Sequence, residues 1–269
     1  MAVITKLISF NCKNVHRSVD CLRTLCRTAD IIALQETWLL PHDLQFLGTI
    51  DEAFAFTGKS AVDTSQGILR GRPFGGVALL WRKSAFPRVS VVECHSVRLA
   101  AIRIHLDSGK SMLVITVYMP TDSAINLTDF TDCMGEISAL VDTNGIESVF
   151  ILGDFNAHPG EQFSEELLNF CYENLWSCID MELLPSDTYT YVSDSHGSRR
   201  WLDHCIVTSA ARHSVLNASV LYHNVYCASC MFAEARTDCF HTIIRKRCAS
   251  LWARVRGASH TVLSTLADR

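Results

Sequence analysis

The chain has 269 residues, of which 48% are hydrophobic and 19% charged, and its formal net charge is −4 at pH 7. This balance excludes a disordered or fibrous protein and favours one large globular domain. The negative charge provides no general attraction for nucleic acid. Basic groups that bind DNA or RNA must therefore be concentrated on one face or assisted by a metal.

Membrane and disulfide proteins are also disfavoured. No apolar run approaches the roughly 18 residues that cross a bilayer, and the opening MAVITKLISFN lacks the features of a signal peptide. We expect an intracellular protein whose 12 cysteines are reduced. Cys227 and Cys230 have the spacing of zinc ligands, but no second pair follows, which disfavours a zinc site.

Short runs of β-branched and aliphatic residues predict strands along most of the chain. In order, the predicted strands are 3–10, 31–34, 76–81, 99–106, 112–118, 149–152, 205–208 and 219–226. Apolar residues at helical spacing predict helices in 18–30, 128–142 and 160–175. The polar, glycine-rich segment 57–76 is predicted to be a long surface loop.

The order of these elements indicates the class of fold. Strands and helices do not alternate strictly, and the turn sequence DSGK between 99–106 and 112–118 indicates antiparallel pairing. We predict an α/β fold in which two mixed β-sheets pack face to face, with helices outside. Residues 1–226 form this domain. Residues 227–269 carry seven Lys and Arg against three Asp and Glu, and we expect a divergent tail that does not complete the fold.

Polar residues stand at the ends of several predicted strands. They are Asn11, Glu36, Tyr118, Asp154, Asn156 and Asp203. Strand ends converge where strands are neighbours, and α/β proteins place their sites there. Each residue also has a plainer interpretation, such as a turn for Asp154 and Asn156 or a packing aromatic for Tyr118. The set as a whole favours a functional site.

These residue types restrict the chemistry. Glu36 and Asn11 offer hard oxygen ligands that suit Mg²⁺ (or Mn²⁺) rather than zinc. Asp154 is placed to orient or deprotonate a water for attack on phosphorus, with Asn156 holding that water or a phosphate oxygen. Tyr118 supplies a phenol near the developing negative charge. The set predicts an enzyme that hydrolyses phosphodiesters or phosphomonoesters.

The order of the motifs resembles one family. SFNCKN, LQETW, RGRPFGGVALLW, VYMPTD, LGDFNAH and TYTYVSDSHGSRRWLDHCIV are similar to motifs of the exonuclease–endonuclease–phosphatase superfamily, across residues 3–226. Within it, the chain resembles the apurinic-endonuclease-like domains of non-LTR (LINE-type) retrotransposons. This resemblance implies a four-layer α/β sandwich and Mg²⁺-dependent nicking of DNA, which exposes a 3′-hydroxyl that primes reverse transcription. It also implies a nuclear location and, in related elements, a longer reverse-transcriptase polyprotein. A monomer is expected.

The resemblance also assigns residues. Asn11 and Glu36 fall on the metal side, and Tyr118, Asp154 and Asn156 on the positions that handle phosphate and water. Thr190 falls on a threonine that touches backbone phosphate, and Asp203 on a carboxylate that supports a last catalytic group. Arg199 and Arg70 are either phosphate contacts or solvated turn residues. For His158 and His204 a structural or surface role is expected.

One motif of the family is missing. The last catalytic group should be a histidine in a Ser-Asp-His motif about two dozen residues after Asp203, but the chain reads HNVYCASCMFAEARTDCFH there. Loss of a catalytic acid or base costs about 10²- to 10⁴-fold in rate, so weak activity is compatible with the gap. The alternatives are a catalytically inactive DNA-binding remnant and a phosphatase or lipid phosphodiesterase of the same superfamily.

Overall fold

The computed structural model of the protein describes residues 4–65, 67, 71–193, 197–222 and 230–236. Numbered along the chain, the strands are β1 (Ile4–Asn11), β2 (Ile31–Gln35), β3 (Phe54–Lys59), β4 (Val77–Arg82), β5 (Val89–Val92), β6 (Leu99–His105), β7 (Ser111–Tyr118), β8 (Ser148–Asp154), β9 (Ser177–Cys178), β10 (Tyr191–Val192), β11 (Arg199–Arg200), β12 (Asp203–Val207), β13 (Val215–Leu221) and β14 (Cys230–Arg236). The α-helices are α1 (Val19–Cys26), α2 (Leu127–Asn144), α3 (Gln162–Glu173), α4 (Ile179–Leu183) and α5 (Ser209–Arg212), and 3-10 helices span Pro41–Thr49 and Ala124–Asn126. In these ranges, no helix combines the length and apolar character needed to cross a bilayer.

The strands form two large mixed sheets and one small hairpin. The first sheet has the order β13-β14-β1-β2-β4-β3, the second has the order β5-β6-β7-β8-β12-β9, and β10 pairs with β11. Strands β1 and β2 are parallel, as are β7 and β8, while the other pairings within both sheets are antiparallel. The predicted hairpin of β6 and β7 is confirmed.

Both sheets are buried on both faces, which explains why their strands read as continuous apolar runs. In β2, Ile31 and Ala33 point into the core between the sheets, whereas Ile32 and Leu34 pack in the outer cluster with α1. In the second sheet, β8 likewise divides its side chains between the central core and the cluster that packs against α2 and α3. The resulting helix–sheet–sheet–helix arrangement confirms the predicted four-layer α/β sandwich.

A polar contact crosses the apolar core between the sheets. The Gln35 side chain is fully buried, and its Nε2 donates to Thr116 Oγ1 on β7 at 3.0 Å. Ser9 Oγ on β1 donates to Gln35 Oε1 at 3.3 Å. Buried polar groups that satisfy one another fix a single arrangement of the elements that carry them. This contact therefore fixes the position of β2 relative to β7, close to the point where both strands end.

Most predicted elements are confirmed, with corrections at their boundaries. The predicted loop 57–76 begins too early, because Thr57–Lys59 belong to β3 and pair with β4. The last predicted strand, 219–226, begins earlier, at Val215, where a bulge interrupts its pairing, and ends at Leu221. Residues 223–226 lie outside the described residues, as do the helices expected in the tail. The eight cysteines with described side chains form no disulfide.

One strand lies in the segment expected to be a divergent tail. Residues 230–236 form β14, which pairs with β1 on one side and β13 on the other. These seven residues of the predicted tail therefore occupy an internal position of the first sheet, whereas residues 227–229 and 237–269 lie outside the described residues. The strand was missed because CMFAEAR lacks the β-branched residues that usually indicate a strand.

The close approach of β7 and β8 leads to a prediction about Gly153. A Cβ at this position would collide with the carbonyl of Val117 on the neighbouring strand. We expect Gly153→Ala to lower the free energy of unfolding by about 2–3 kcal/mol, because the backbones would have to move apart. Gly135, on an exposed part of α2 where an added Cβ meets nothing within 4 Å, provides the control.

Gly135→Ala is expected to raise the free energy of unfolding by about 0.5–1 kcal/mol through helix propensity. Urea unfolding of both variants checks the pair. Equal effects of the two substitutions would contradict the close approach at Gly153.

Candidate active site

The strand pairings bring the predicted polar residues to one edge of the sandwich. Asn11 is paired with Gln35 at the end of the parallel β1–β2 pair, and Glu36 follows directly. In the second sheet, Asp154 is the partner of Tyr118 on β7 and of Asp203 on β12. Parallel strands end at the same edge of a sheet, so two strand pairs, one from each sheet, deliver these side chains to a shared site.

Asn11 joins the carboxylates of the two sheets. Its Nδ2 donates to Glu36 Oε1 at 2.7 Å and to Asp154 Oδ2 at 2.9 Å. Its Oδ1 accepts the backbone N–H of Lys13 at 3.2 Å, which fixes the orientation of the amide. One side chain thus uses both amide protons on two acidic groups that come from different sheets.

Glu36 and Asn156 occupy strained backbone conformations. Their φ angles are +52° and +50°, in the left-handed region that non-glycine residues rarely adopt. Glu36 Oε2 accepts a hydrogen bond from Trp38 Nε1 at 3.2 Å. Asn156 donates its backbone N–H to Asp154 Oδ1 at 3.0 Å and its Nδ2 to the Met119 carbonyl at 2.9 Å. Such strain persists where surrounding contacts determine the conformation, and it concentrates at functional sites.

Tyr118 presents a protonated phenol to the site. Burial raises the pKa of its hydroxyl well above the usual range, and the nearby carboxylates of Glu36 and Asp154 raise it further. The hydroxyl is hydrogen-bonded to Glu36, so it acts as a donor toward negative charge.

Asp154 and Asp203 are buried acids that lie side by side. Burial raises the pKa of Asp154 to about 6, the hydrogen bonds from Asn11 and Asn156 oppose this shift, and the charge of Glu36 adds to it. The pKa of Asp203 is raised well above its ordinary value, first by burial and then by the charge of Asp154. Among the described residues, no Lys, Arg or His side chain forms an ion pair with either group.

The site opens into a cavity of about 730 Å³. Its walls contain five of the six predicted strand-end residues, and they also contain residues that the sequence did not single out. The lining is Asn11, Lys13, Glu36, Tyr118, Thr121, Asp122, Asp154, Asn156, Glu161, Gln162, Tyr191, Arg200 and Leu202. Asp203 is buried and lies outside this lining.

Two cationic side chains line the cavity. Lys13 Nζ lies 5.0 Å from the centre of the Tyr191 ring, and Arg200 forms an ion pair with Glu161. The only sequence signal for Lys13 was its position two residues after Asn11, and its contact with Tyr191 depends on the fold. Acidic side chains outnumber these two in the lining, and Arg200 is already paired with Glu161, which leaves Lys13 as the cation without an acidic partner among the described lining residues.

The predicted substrate-binding residues lie in different places. Thr190 is buried, and its Oγ1 accepts the backbone N–H groups of Leu202 and Asp203 at 2.9 and 3.0 Å. Arg199 lies outside the cavity lining, with its guanidinium 4.6 Å from the centre of the Tyr189 ring. Arg70 lies outside the described residues, as do positions 228 and 229 of the expected Ser-Asp-His motif, whereas its third position, Cys230, is the first residue of β14.

The carboxylate pair leads to a prediction about stability. A folded-state pKa above the ordinary 3.8 means that the folded protein holds a proton which the unfolded chain has already released. Such a group therefore stabilises the folded protein at low pH. This contribution is lost as the pH rises from the ordinary pKa of 3.8 through the raised folded-state pKa. Asp203→Asn removes one of the two charges and keeps an oxygen for Thr190.

In buffer that contains a metal chelator, we expect the melting temperature of Asp203→Asn to be a few degrees higher than that of the parent at about pH 8. This difference should shrink toward about pH 4. Thermal melts across this range provide the measurement, and Asp107→Asn, at an exposed distant carboxylate, is the control. A variant that is less stable than the parent at every pH would contradict the prediction.

Comparisons with known proteins agree with this geometry. The family model for the Endonuclease/Exonuclease/phosphatase family matches residues 8–225. Comparison with curated proteins gives no match. One solved structure with the same fold is the endonuclease domain of TRAS1, a telomere-specific non-LTR retrotransposon. It has 12% sequence identity and a TM-score of 0.63, over 87% of this chain and 99% of that chain.

Two further structures share the fold. The Xenopus laevis APE2 catalytic domain has 17% identity and a TM-score of 0.64, over 91% of this chain and 95% of that chain. The 3′ phosphatase NExo from Neisseria, bound to product DNA hairpin, has 15% identity and a TM-score of 0.60, over 85% of this chain and 98% of that chain. Because the family model covers most of the sequence, the chain belongs to the endonuclease/exonuclease/phosphatase family.

Proposed function

We propose that this chain is a divalent-metal-dependent endonuclease that nicks DNA, of the type found in non-LTR retrotransposons. The observation that carries the proposal is the pair of hydrogen bonds from Asn11 Nδ2 to Glu36 and Asp154, which places acids from both sheets around one cavity. The likeness of the fold to the TRAS1 endonuclease domain supports the retrotransposon type.

The residues present fit a divalent cation. Glu36, Asp154 and Asp203 are grouped without a paired cationic side chain in the described part of the chain, and carboxylate and amide oxygens are the ligands that Mg²⁺ and Mn²⁺ prefer. Glu36 and Asn11 are the proposed ligands, and binding through Asn11 Oδ1 would require its amide to give up the bonds that it makes to Glu36, Asp154 and the Lys13 N–H. When bound, the ion supplies Lewis-acid polarisation of a phosphoryl oxygen.

The side chains then divide the remaining tasks. Asp154, whose pKa of about 6 lets it ionise near neutral pH, accepts the proton of the attacking water. Asn156 is locked by its bond to the Met119 carbonyl, so its position beside that water is fixed. Tyr118 donates a hydrogen bond toward charge that develops on the phosphate. Asp203 holds the Asp154 side of the site through the β8–β12 pairing.

DNA is the proposed substrate because Lys13 and Arg200 are cationic side chains in the wall of the acidic site, where a phosphate can replace Glu161 as the partner of Arg200. Phosphate contacts position a duplex, and Tyr191 adds an aromatic face beside Lys13. We propose Arg199 and Arg70 as additional backbone contacts outside the cavity. Thr190 acts on the substrate indirectly, because its hydroxyl holds the start of β12. A nuclear location follows from the proposed substrate.

The test is nicking of supercoiled plasmid by the purified chain in Mg²⁺ and in Mn²⁺. We expect slow nicking that Asp154→Ala reduces by about 10²- to 10⁴-fold, because the proton acceptor is lost. Asp107→Ala is the matched control, since this exposed carboxylate pairs with Arg88 far from the cavity. Equal rates for the parent and Asp154→Ala would overturn the assignment of Asp154.

A second arm addresses the missing histidine. The combined substitutions Ala228→Ser, Ser229→Asp and Cys230→His introduce the expected motif. An inactive parent that gains nicking with these changes would be a decayed endonuclease with an intact site. A parent that binds the plasmid in gel-shift experiments, and that does not nick it even after the three substitutions, would support the alternative of a DNA-binding remnant.

A further inference from the structure

A buried histidine–aspartate pair lies next to the candidate active site. His204 on β12 and Asp180 in α4 are both completely inaccessible to solvent, and His204 Nδ1 lies 2.7 Å from Asp180 Oδ2. His204 is the residue after Asp203, so the pair is adjacent to the carboxylate cluster without lining the cavity. No step of the proposed reaction uses either residue.

The contacts determine the protonation of the imidazole ring. His204 Nε2 lies 2.7 Å from the carbonyl oxygen of Ala157, which can only accept a hydrogen bond, so Nε2 carries a proton. Asp180 Oδ1 accepts the backbone N–H of Cys205 at 2.7 Å and the Cys178 thiol at 3.5 Å. These contacts fix the orientation of the carboxylate, and Asp180 Oδ2 then holds the ring at Nδ1 while Nε2 donates to Ala157.

Cys178, Asp180 and His204 also place three potential metal-ligand atoms within 4.8 Å of one another. Each of these residues already has a hydrogen-bond partner inside the protein, and the second ring nitrogen of His204 is used by Ala157. The cluster is therefore explained by hydrogen bonding, which leaves no donor atom aimed at an ion.

The two bonds of the His204 ring connect three parts of the site. Ala157 directly follows Asn156, the strained residue with φ of +50°. The same turn is attached to the start of β12 by a hydrogen bond from the Phe155 N–H to the Leu202 carbonyl at 2.9 Å. Holding Ala157 therefore holds the turn in which Asn156 donates its backbone N–H to Asp154.

We propose that Asp180 and His204 are positioning residues: the imidazole ring, oriented by Asp180, holds the turn at Ala157 so that Asn156 and Asp154 keep their relative geometry. Neither residue touches the substrate. This inference rests on the proposed nuclease function and deepens it, because it identifies what keeps the strained turn in its working conformation. A misplacement of about 1 Å at a reacting group costs about 10²-fold in rate.

The kinetic test compares two substitutions of Asp180. Asp180→Ala removes the partner of Nδ1 and releases the ring, and we expect kcat for plasmid nicking to fall about 10²-fold with KM changed by less than about threefold. In Asp180→Asn, the amide oxygen still accepts the Cys205 N–H, and the amide NH₂ group donates to Nδ1 of a neutral ring. Nε2 of that ring still donates to the Ala157 carbonyl. We expect it to recover kcat to within about fivefold of the parent.

Asp30→Ala is the matched control. Like Asp180, Asp30 binds a nitrogen of a basic side chain, Arg82 Nε at 3.2 Å, and a backbone N–H, that of Lys6 at 2.9 Å, although it is only partly buried. It lies before β2, at the opposite end of that strand from Glu36. Its loss should lower stability while kcat of the folded protein stays at the parent value.

NMR tests the same geometry without activity, so a failure of the proposed function does not hide the answer. Nitrogen-edited spectra of the parent should show a proton on Nε2 of His204. The amide proton of Asn156 should be protected from exchange in the parent, Asp180→Asn and Asp30→Ala, and unprotected in Asp180→Ala. A parent without a proton on His204 Nε2 would overturn the proposal, because the ring could not donate to Ala157. Equal kcat and equal protection of the Asn156 amide in Asp180→Ala and Asp30→Ala would also overturn it.

Discussion

The structure depends on bringing acidic side chains from two separate sheets within hydrogen-bond distance of one amide. Carboxylates that are buried together repel one another and lose hydration, which raises the pKa of Asp154 to about 6 and that of Asp203 above its ordinary value. Asn11 offsets part of this cost by donating one amide proton to Glu36 and the other to Asp154. That geometry requires the ends of β1, β2 and β8 to be fixed relative to one another within a few tenths of an ångström.

Several features of the fold meet that requirement. Gln35 and Thr116 link the sheets through the core just behind the site, and the close backbone approach at Gly153 seats β8 against β7. The strained conformations of Glu36 and Asn156 turn their side chains out of the strands toward the cavity. The stability of the apolar sandwich thus supports a polar site that would not hold together alone, as is common where strain and buried charge are concentrated.

Much of this could be predicted from the sequence, for identifiable physical reasons. Strands that are buried on both faces, such as Ile31–Gln35, produce apolar runs that stand out from their surroundings, and a polar residue after such a run marks a strand end. Two-residue strands and β14 carry no comparable pattern. The partnership of Lys13 with Tyr191, and of His204 with Asp180, joins residues far apart in sequence whose contact only the fold creates. For the same reason the burial of Thr190 could not be foreseen from a motif that places it on phosphate.

The central claim, that the acids gathered by Asn11 form one divalent-cation site, is tested most directly by Mn²⁺ binding followed by electron paramagnetic resonance. The account predicts one bound Mn²⁺ that Mg²⁺ displaces, with affinity reduced about tenfold or more in Glu36→Gln, because a charged ligand is lost. Glu165→Gln, at an exposed acid in the first turn of α3, should bind like the parent. Equal Mn²⁺ affinity in the parent and Glu36→Gln would contradict the account.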